Sequence, residues 1–280
     1  MGSNIHSTEI LKKSEKGLQM SPDIVVVEEP LEIRVGYGPS SSRCQHSVSV
    51  TMRTPGEDEL LGIGFLFNEG IIDSFDELLS IKHCDDLGQN EIKDNVVRAE
   101  LSENKEFKVE QFSRNFYINS SCGICGKGSI EAIHQVVLKK PTFDGTLSSA
   151  IVQQIPDSLL ESQHIFQHTG GLHASGLFTK SGKLVAHFED VGRHNALDKL
   201  VGGLMVKKCL PASNQILAIS GRISFELVQK ALRAGIGMIV AVGAPSSLAI
   251  QLAKEFDVTL IGFVRNNQFN IYSGKDRIIP

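Results

Sequence analysis

From residue 172 onward, short apolar runs alternate with amphipathic stretches, and that alternation leaves few architectures open. Residues 172–179 and 184–188 flank Ser181-Gly182 as a hairpin. There follow a helix over 195–205, a strand at 216–219, a helix over 225–234, a strand at 238–242, a helix over 248–256 and a strand at 259–263. The rhythm predicts a layered α/β domain with a largely parallel sheet.

The amino-terminal half has a different pattern. Residues 1–22 are polar and aperiodic and are expected to form a disordered leader, with too little apolar surface to offset the entropy of ordering. Two strands are expected at 24–35 and 44–53, separated by a turn cluster at 36–42. Thr54-Pro55-Gly56-Glu57-Asp58 then opens a helix with acidic residues in its first turn, ending at Gly70. β-rich segments at 79–84, 96–101 and 115–118 complete a small α+β domain over residues 23–121. A second domain is expected over 122–280, opening with helices over 130–137 and 150–163, the latter interrupted at Pro156.

Lys plus Arg number 28 against 32 Asp plus Glu, a net charge of -4, which argues against nucleic acid or an anionic membrane as a partner. No run approaches a membrane span, and the first residues lack a signal peptide's apolar centre, so a cytoplasmic location is expected. The five cysteines are an odd count at scattered positions, which fits a reducing compartment with reactive thiols.

Cys122 and Cys125 lie three residues apart in a glycine-rich loop with Lys127 beside them and a helix expected just after. Both features favour the nucleophilic thiolate. Such a thiolate can accept the terminal sulfur of a persulfide. Two other readings compete: half of a zinc site, for which no second ligand pair is present at the required spacing, and a thiol–disulfide redox pair. No protein-bound zinc is expected.

Glu189–Asn195, Ser220–Ser224 and Gly243–Ser247 each lead from a strand through a short polar loop into a helix. In a parallel sheet such loops gather at the strands' carboxyl ends, where free N–H groups bind anions and arginines clamp phosphate. Gly221, Arg222, Pro245, Ser246 and Arg193 are therefore candidates for a nucleotide or pyrophosphate site. His168, His173, His187 and His194 fall nearby and suggest a polar pocket. Neither a GxGxxG fingerprint nor a P-loop is present, which leaves hydride transfer and NTP hydrolysis unsupported.

SCGICGKGSI, HTGGLHASGLF, EDVGRHNALDKLVGG, SGRISFELVQKA and GAPSSLAIQLA, in this order, resemble the formate dehydrogenase accessory sulfurtransferase family (FdhD), as does RTPGEDELLGIGFLFNEGII. The resemblance implies a sulfur carrier that takes persulfide sulfur from a cysteine desulfurase and delivers it to the molybdenum cofactor of a formate dehydrogenase apoenzyme. It implies Cys122 as the persulfide carrier and a homodimer. It further implies that the bis(molybdopterin guanine dinucleotide) cofactor is bound, with GDP as its mimic, and implicates the segment Phe263, Val264, Arg265, Asn266, Asn267 and Gln268. Such a ligand agrees with the anion site inferred from the sheet-edge loops, to which His173, Arg193 and His194 are assigned as candidate cofactor-binding residues. It also implies a cytidine deaminase-like three-layer α/β/α second domain. The deaminase zinc signature itself is absent, because Ala174-Ser175 follow His173 and neither motif cysteine follows a proline. The alternative is a nucleotide-binding thiol–disulfide redox protein without sulfur transfer.

Overall fold

The structure is a computed structural model that describes residues 4–84, 93–109 and 140–280. Cys122, Cys125, the strand expected at 115–118, the helix expected over 130–137 and the boundary between residues 121 and 122 all lie outside the described residues.

The chain opens with a hairpin of β1 (Ile5–Ser14) and β2 (Gly17–Val26), paired over its full length with no register shift. This corrects the expected disordered leader. Gly17, at φ 103°, supplies the turn, and Val27 N–H donates to the Asn4 carbonyl at 3.0 Å to close the base. The apolar residues look aperiodic along the chain because they form a face only after the chain doubles back.

β3 (Glu29–Tyr37), β4 (Cys44–Arg53), α1 (Asp58–Asn68), β5 (Leu78–His83) and β6 (Val96–Leu101) form the smaller unit. Its sheet runs β4-β3-β6-β5, with β3 and β6 parallel. The larger unit contains β7 (Leu147–Ser148), α2 (Ser149–Ser162), α3 (His164–Thr169), β8 (His173–Phe178), β9 (Leu184–Asp190), α4 (Arg193–Val206) and β10 (Ile216–Ile219). It continues through α5 (Phe225–Arg233), β11 (Met238–Ala241), α6 (Ser247–Glu255), β12 (Thr259–Arg265), β13 (Gln268–Ser273) and β14 (Ile278–Ile279).

The main sheet has the order β13-β12-β11-β10-β8-β9. Only β10–β11 and β11–β12 are parallel, so the sheet is mixed rather than largely parallel. The cause lies in the connections. β10, β11 and β12 are joined through helices, whereas β8–β9 and β12–β13 are joined by tight turns that can only reverse direction. Because β8 opposes both β9 and β10, the strands β9, β10, β11 and β12 all run the same way and end at one edge.

Strand residues alternate between two faces. Ile216, Ala218, Met238, Val240 and Ile261 pack with Val152, Ile155 and Leu159 of α2. Leu217, Ile219, Ile239, Ala241 and Leu260 join α4, α5 and α6 on the other side. α2 runs through Pro156 without interruption: the missing N–H removes one helical bond, while Ile155 and Leu159 remain buried against the sheet.

α4 is buried from Asn195 through Met205, the pattern of a helix enclosed on every side. One side lies on the main sheet and another on α1, which in turn covers the small sheet. A Cβ built on Gly64 would lie 1.9 Å from the Asp198 carbonyl oxygen, and one on Gly202 would lie 2.0 Å from that of Leu60. The two helices therefore meet backbone to backbone. A single apolar cluster runs from Leu31 and Ile33 of the small sheet through Leu61 and Leu200 to Leu217 and Leu260, so the two units share this cluster.

Alanine at Gly64 tests this contact. Helix propensity favours the change by about 1 kcal/mol, but the collision with backbone should outweigh it, for a net loss of about 2 kcal/mol in urea unfolding. An unchanged midpoint would show that α1 and α4 are not in backbone contact.

Candidate functional site

Four strands ending at one edge bring their loops together, and the turn from β9 into α4 is the most firmly held of these. Asp190 is fully buried. Its carboxylate accepts from Gly192 N at 2.8 Å, Asn195 Nδ2 at 3.1 Å and Thr54 N at 3.3 Å, and it pairs with Lys199 Nζ at 2.9 Å. Lys199 Nζ also donates to the Thr54 carbonyl at 3.1 Å. Asn195 Nδ2 reaches the Met52 carbonyl at 2.8 Å. These bonds tie the start of α4 to both sheets, and the start of α4 carries Arg193 and His194.

His173 begins β8 directly opposite Asp190. A Cβ on Gly221 would sit 3.2 Å from the His173 ring and 4.0 Å from Arg193 Cδ, so the glycine lets the ring lie close against this loop. The Gly221 carbonyl accepts from Gly243 N at 3.2 Å, and the Gly243 carbonyl accepts from Phe263 N at 3.3 Å. Ile223 bridges to Pro245. The three loop segments and the end of β12 are thus linked through their backbones. Arg222 is exposed at this edge, near enough to Arg193 and His173 to disfavour a proton on either.

The electrostatics are those of a cationic edge with neutral imidazoles. Burial lowers the His173 pKa, and the Arg193 and Arg222 charges lower it further against a smaller pull from Asp190. Burial, then Lys230, Arg193 and His173, push His194 down to about 3, and its Nε2 lies 3.0 Å from Ser224 Oγ. Arg193 is itself lowered by burial and by Arg222, and its Nε is buried with no hydrogen-bond partner among the described residues. A cluster of this kind has unspent capacity for an anion.

Behind His173 and α4 a cavity of about 400 Å³ reaches between β4, α1 and α5. Its wall includes Leu61, Phe65, Asn68, Asp198, Glu226 and Lys230. Asp198 accepts from Lys230 Nζ at 2.5 and 2.6 Å and from Asn68 Nδ2 at 2.7 Å.

Of the residues expected at the site, His173, Arg193, His194, Gly221 and Arg222 come together. Pro245 lies in the adjoining loop, and the Ser246 hydroxyl caps α6 by accepting from Ala249 N at 3.2 Å. Phe263 joins through its backbone. Val264 is buried on the α2 side of the main sheet. Arg265, Asn266, Asn267 and Gln268 form the β12–β13 turn, where the Arg265 guanidinium lies over the Phe263 ring at 5.9 Å and Asn267 O accepts from Gln153 Nε2 at 3.0 Å. The expected pocket of four histidines reduces to two. His187 pairs with Gly176 on the α2 side of the sheet, and His168 lies in the last turn of α3. Asp190, Lys199, Asp198 and Lys230 were not singled out as site residues from sequence. The Glu189-Asp190 pair at a strand end was the available signal, whereas a lysine within a helix resembles an ordinary solvent-facing residue.

The FdhD/NarQ family profile matches residues 26–279. The chain belongs to the FdhD/NarQ family. It is 45% identical over 258 residues to the sulfur carrier protein FdhD of Sulfurisphaera tokodaii, covering 92% of each chain. Against the sulfur carrier protein FdhD of Streptomyces avermitilis it is 42% identical over 285 residues, covering 99% of this chain and 97% of that one. The crystal structure of a putative formate dehydrogenase accessory protein from Desulfotalea psychrophila has the same fold, with a TM-score of 0.73 at 23% identity over 99% of this chain and all of that one. The FdhD/NarQ match spans both sheets and every residue of the cationic edge.

The protonation state of His194 can be read directly. The unfolded chain takes up this proton near pH 6.5 and the folded chain only near 3, so the ring's contribution to stability is complete above 6.5 and is lost as pH falls toward 3. Its NMR ring signals should not titrate between pH 8 and 5, and His194→Gln should flatten the stability loss between pH 6.5 and 4. A ring midpoint near 6.5 would contradict this environment.

Proposed function

We propose that this chain is a sulfur carrier, accepting sulfur on Cys122 from a cysteine desulfurase and delivering it to the molybdenum cofactor of a formate dehydrogenase apoenzyme. The observation that carries the reading is the FdhD/NarQ match over residues 26–279, whose relatives are named sulfur carrier proteins. In the loading step the Cys122 thiolate attacks the terminal sulfur of the desulfurase persulfide. The donor's S–S bond breaks, its thiolate leaves, and a persulfide forms on Cys122 with no net redox change. In delivery, Cys125 attacks the inner sulfur of that persulfide and releases sulfide to the metal. A Cys122–Cys125 disulfide remains, to be reopened by a thiol reductant.

The cofactor is here a substrate, a guanine dinucleotide with a pyrophosphate in each arm. Arg193 and Arg222 supply the charge for that pyrophosphate, and Gly243 lets its loop pack against the backbone of Gly221 and Arg222 and so holds Arg222 at the edge. His173 and His194, neutral at pH 7, provide hydrogen bonds without adding repulsion between cations. The cytidine deaminase-like reading of the larger unit belongs to this proposal, and helices on both faces of the main sheet support it. A cytoplasmic location and a two-copy assembly complete it.

Two experiments test these parts separately. After incubation with a cysteine desulfurase and cysteine, intact mass should rise by one sulfur, mapped to Cys122. Cys122→Ser should abolish activation of the client dehydrogenase, while Cys125→Ser should leave the part that an external thiol can deliver by attacking the same inner sulfur and forming a mixed disulfide with Cys122. Persulfide found on Cys125 alone would reverse the roles, and an absolute need for both thiols without any mass gain would favour the redox reading.

For the cationic edge, calorimetry with GDP should show binding that Arg222→Ala weakens about tenfold or more, the scale of one lost charge-assisted contact. Bound pyrophosphate should also raise the His173 pKa by offsetting the two arginines. Equal GDP affinity in the variant would remove Arg222 from the site.

A further inference from the structure

The β1–β2 hairpin places its residues on two faces of opposite character. Directly paired residues share a face, so Ile5·Val26, Ser7·Ile24, Glu9·Pro22, Leu11·Met20 and Lys13·Leu18 stack along one side. The other side carries His6·Val25, Thr8·Asp23, Ile10·Ser21 and Lys12·Gln19. The first face is predominantly apolar and lies open: Leu11 is 60%, Leu18 61% and Met20 64% exposed. The Val27–Asn4 bond closes the base of the hairpin, and there Val26, the last residue of this face, packs against Gly171 and attaches the arm to the rest of the chain. A two-stranded hairpin is marginal in water by itself, so an apolar face along the whole arm calls for a covering layer.

The two charges on that face indicate what covers it. Glu9 and Lys13 lie symmetrically about the Leu11·Met20 rung, one step to either side. A two-fold axis through that rung, running across the strands, stacks a second arm on the first in the reverse direction. Leu11 then meets Leu11, Met20 meets Met20, Leu18 meets Pro22, and Glu9 faces Lys13 in both directions. Under that axis Glu9 and Lys13 are self-complementary, which is what an isologous interface asks of any charges it contains. Among the described residues neither Glu9 nor Lys13 has another charge partner.

We infer that the amino-terminal hairpin is a homodimerisation arm, whose Leu11·Met20 face packs on the same face of a second copy with reciprocal Glu9–Lys13 pairs. This deepens the two-copy part of the proposed function by naming its surface.

Sedimentation velocity on the full chain at micromolar concentration tests it. Wild type should be a dimer, and Leu11→Glu with Met20→Glu should make it a monomer with an unchanged far-ultraviolet spectrum. Glu9→Lys alone and Lys13→Glu alone should each raise the dissociation constant about tenfold through two repulsive contacts. A mixture of those two variants should recover the wild-type affinity as a heterodimer, because each copy then supplies what the other lacks. A monomeric wild type would overturn both the arm and the two-copy reading. A dimer indifferent to Leu11→Glu with Met20→Glu, or mixed variants that fail to recover, would overturn the arm and leave the two-copy reading standing.

Discussion

The crossing of α1 and α4 holds the two sheets in one molecule. Gly64 and Gly202 let the helix backbones touch, and side chains of ordinary size at either position would separate them. Everything on the far side of α4 depends on that approach. With α1 so close, Asn68 reaches Asp198, Thr54 reaches Asp190 and Lys199, and Met52 reaches Asn195. Charges that would be costly to bury alone are enclosed in pairs, with further bonds from the other unit: the Thr54 backbone at Asp190 and Lys199, and the Asn68 side chain at Asp198.

That enclosure shapes the cationic edge. Arg193 and His194 sit on the first turn of α4, whose entry is fixed by Asp190 rather than by a side-chain cap at Gly192. The imidazoles are kept neutral mainly by burial and then by the neighbouring positive charges. An edge built this way is polarised before any ligand arrives, so an anion entering it meets groups already in position.

Much of this architecture was legible from residue patterns. β4, β6 and β10 fall at the expected positions because their apolar and β-branched runs are bounded by clear turn residues. The sheet-edge loops were legible because a polar glycine loop between a strand and a helix has few places to go. What escaped was long-range. The leader's apolar residues acquire meaning only through cross-strand pairing, and the direction of β8 is set by a tight turn rather than by its composition. Lys199 and Lys230 look solvent-facing until the partner carboxylates Asp190 and Asp198 are placed beside them. Pro156 illustrates the reverse case, in which a local breaker is overruled by the burial of its neighbours. Within the candidate site, residue type identified the arginines, histidines and Gly221, while the turn-forming role of Asn266 and Asn267, both at positive φ, became evident only from the backbone.

The shared apolar cluster also bears on cooperativity. Because Leu31, Leu61, Leu200 and Leu260 belong to one continuous interior, the cluster around α4 loses its seal if either sheet melts, even though the main sheet has further core on its α2 face. Heat or denaturant should therefore meet one folding unit rather than two, and damage to the small sheet would be felt at the arginines on the opposite side of α4.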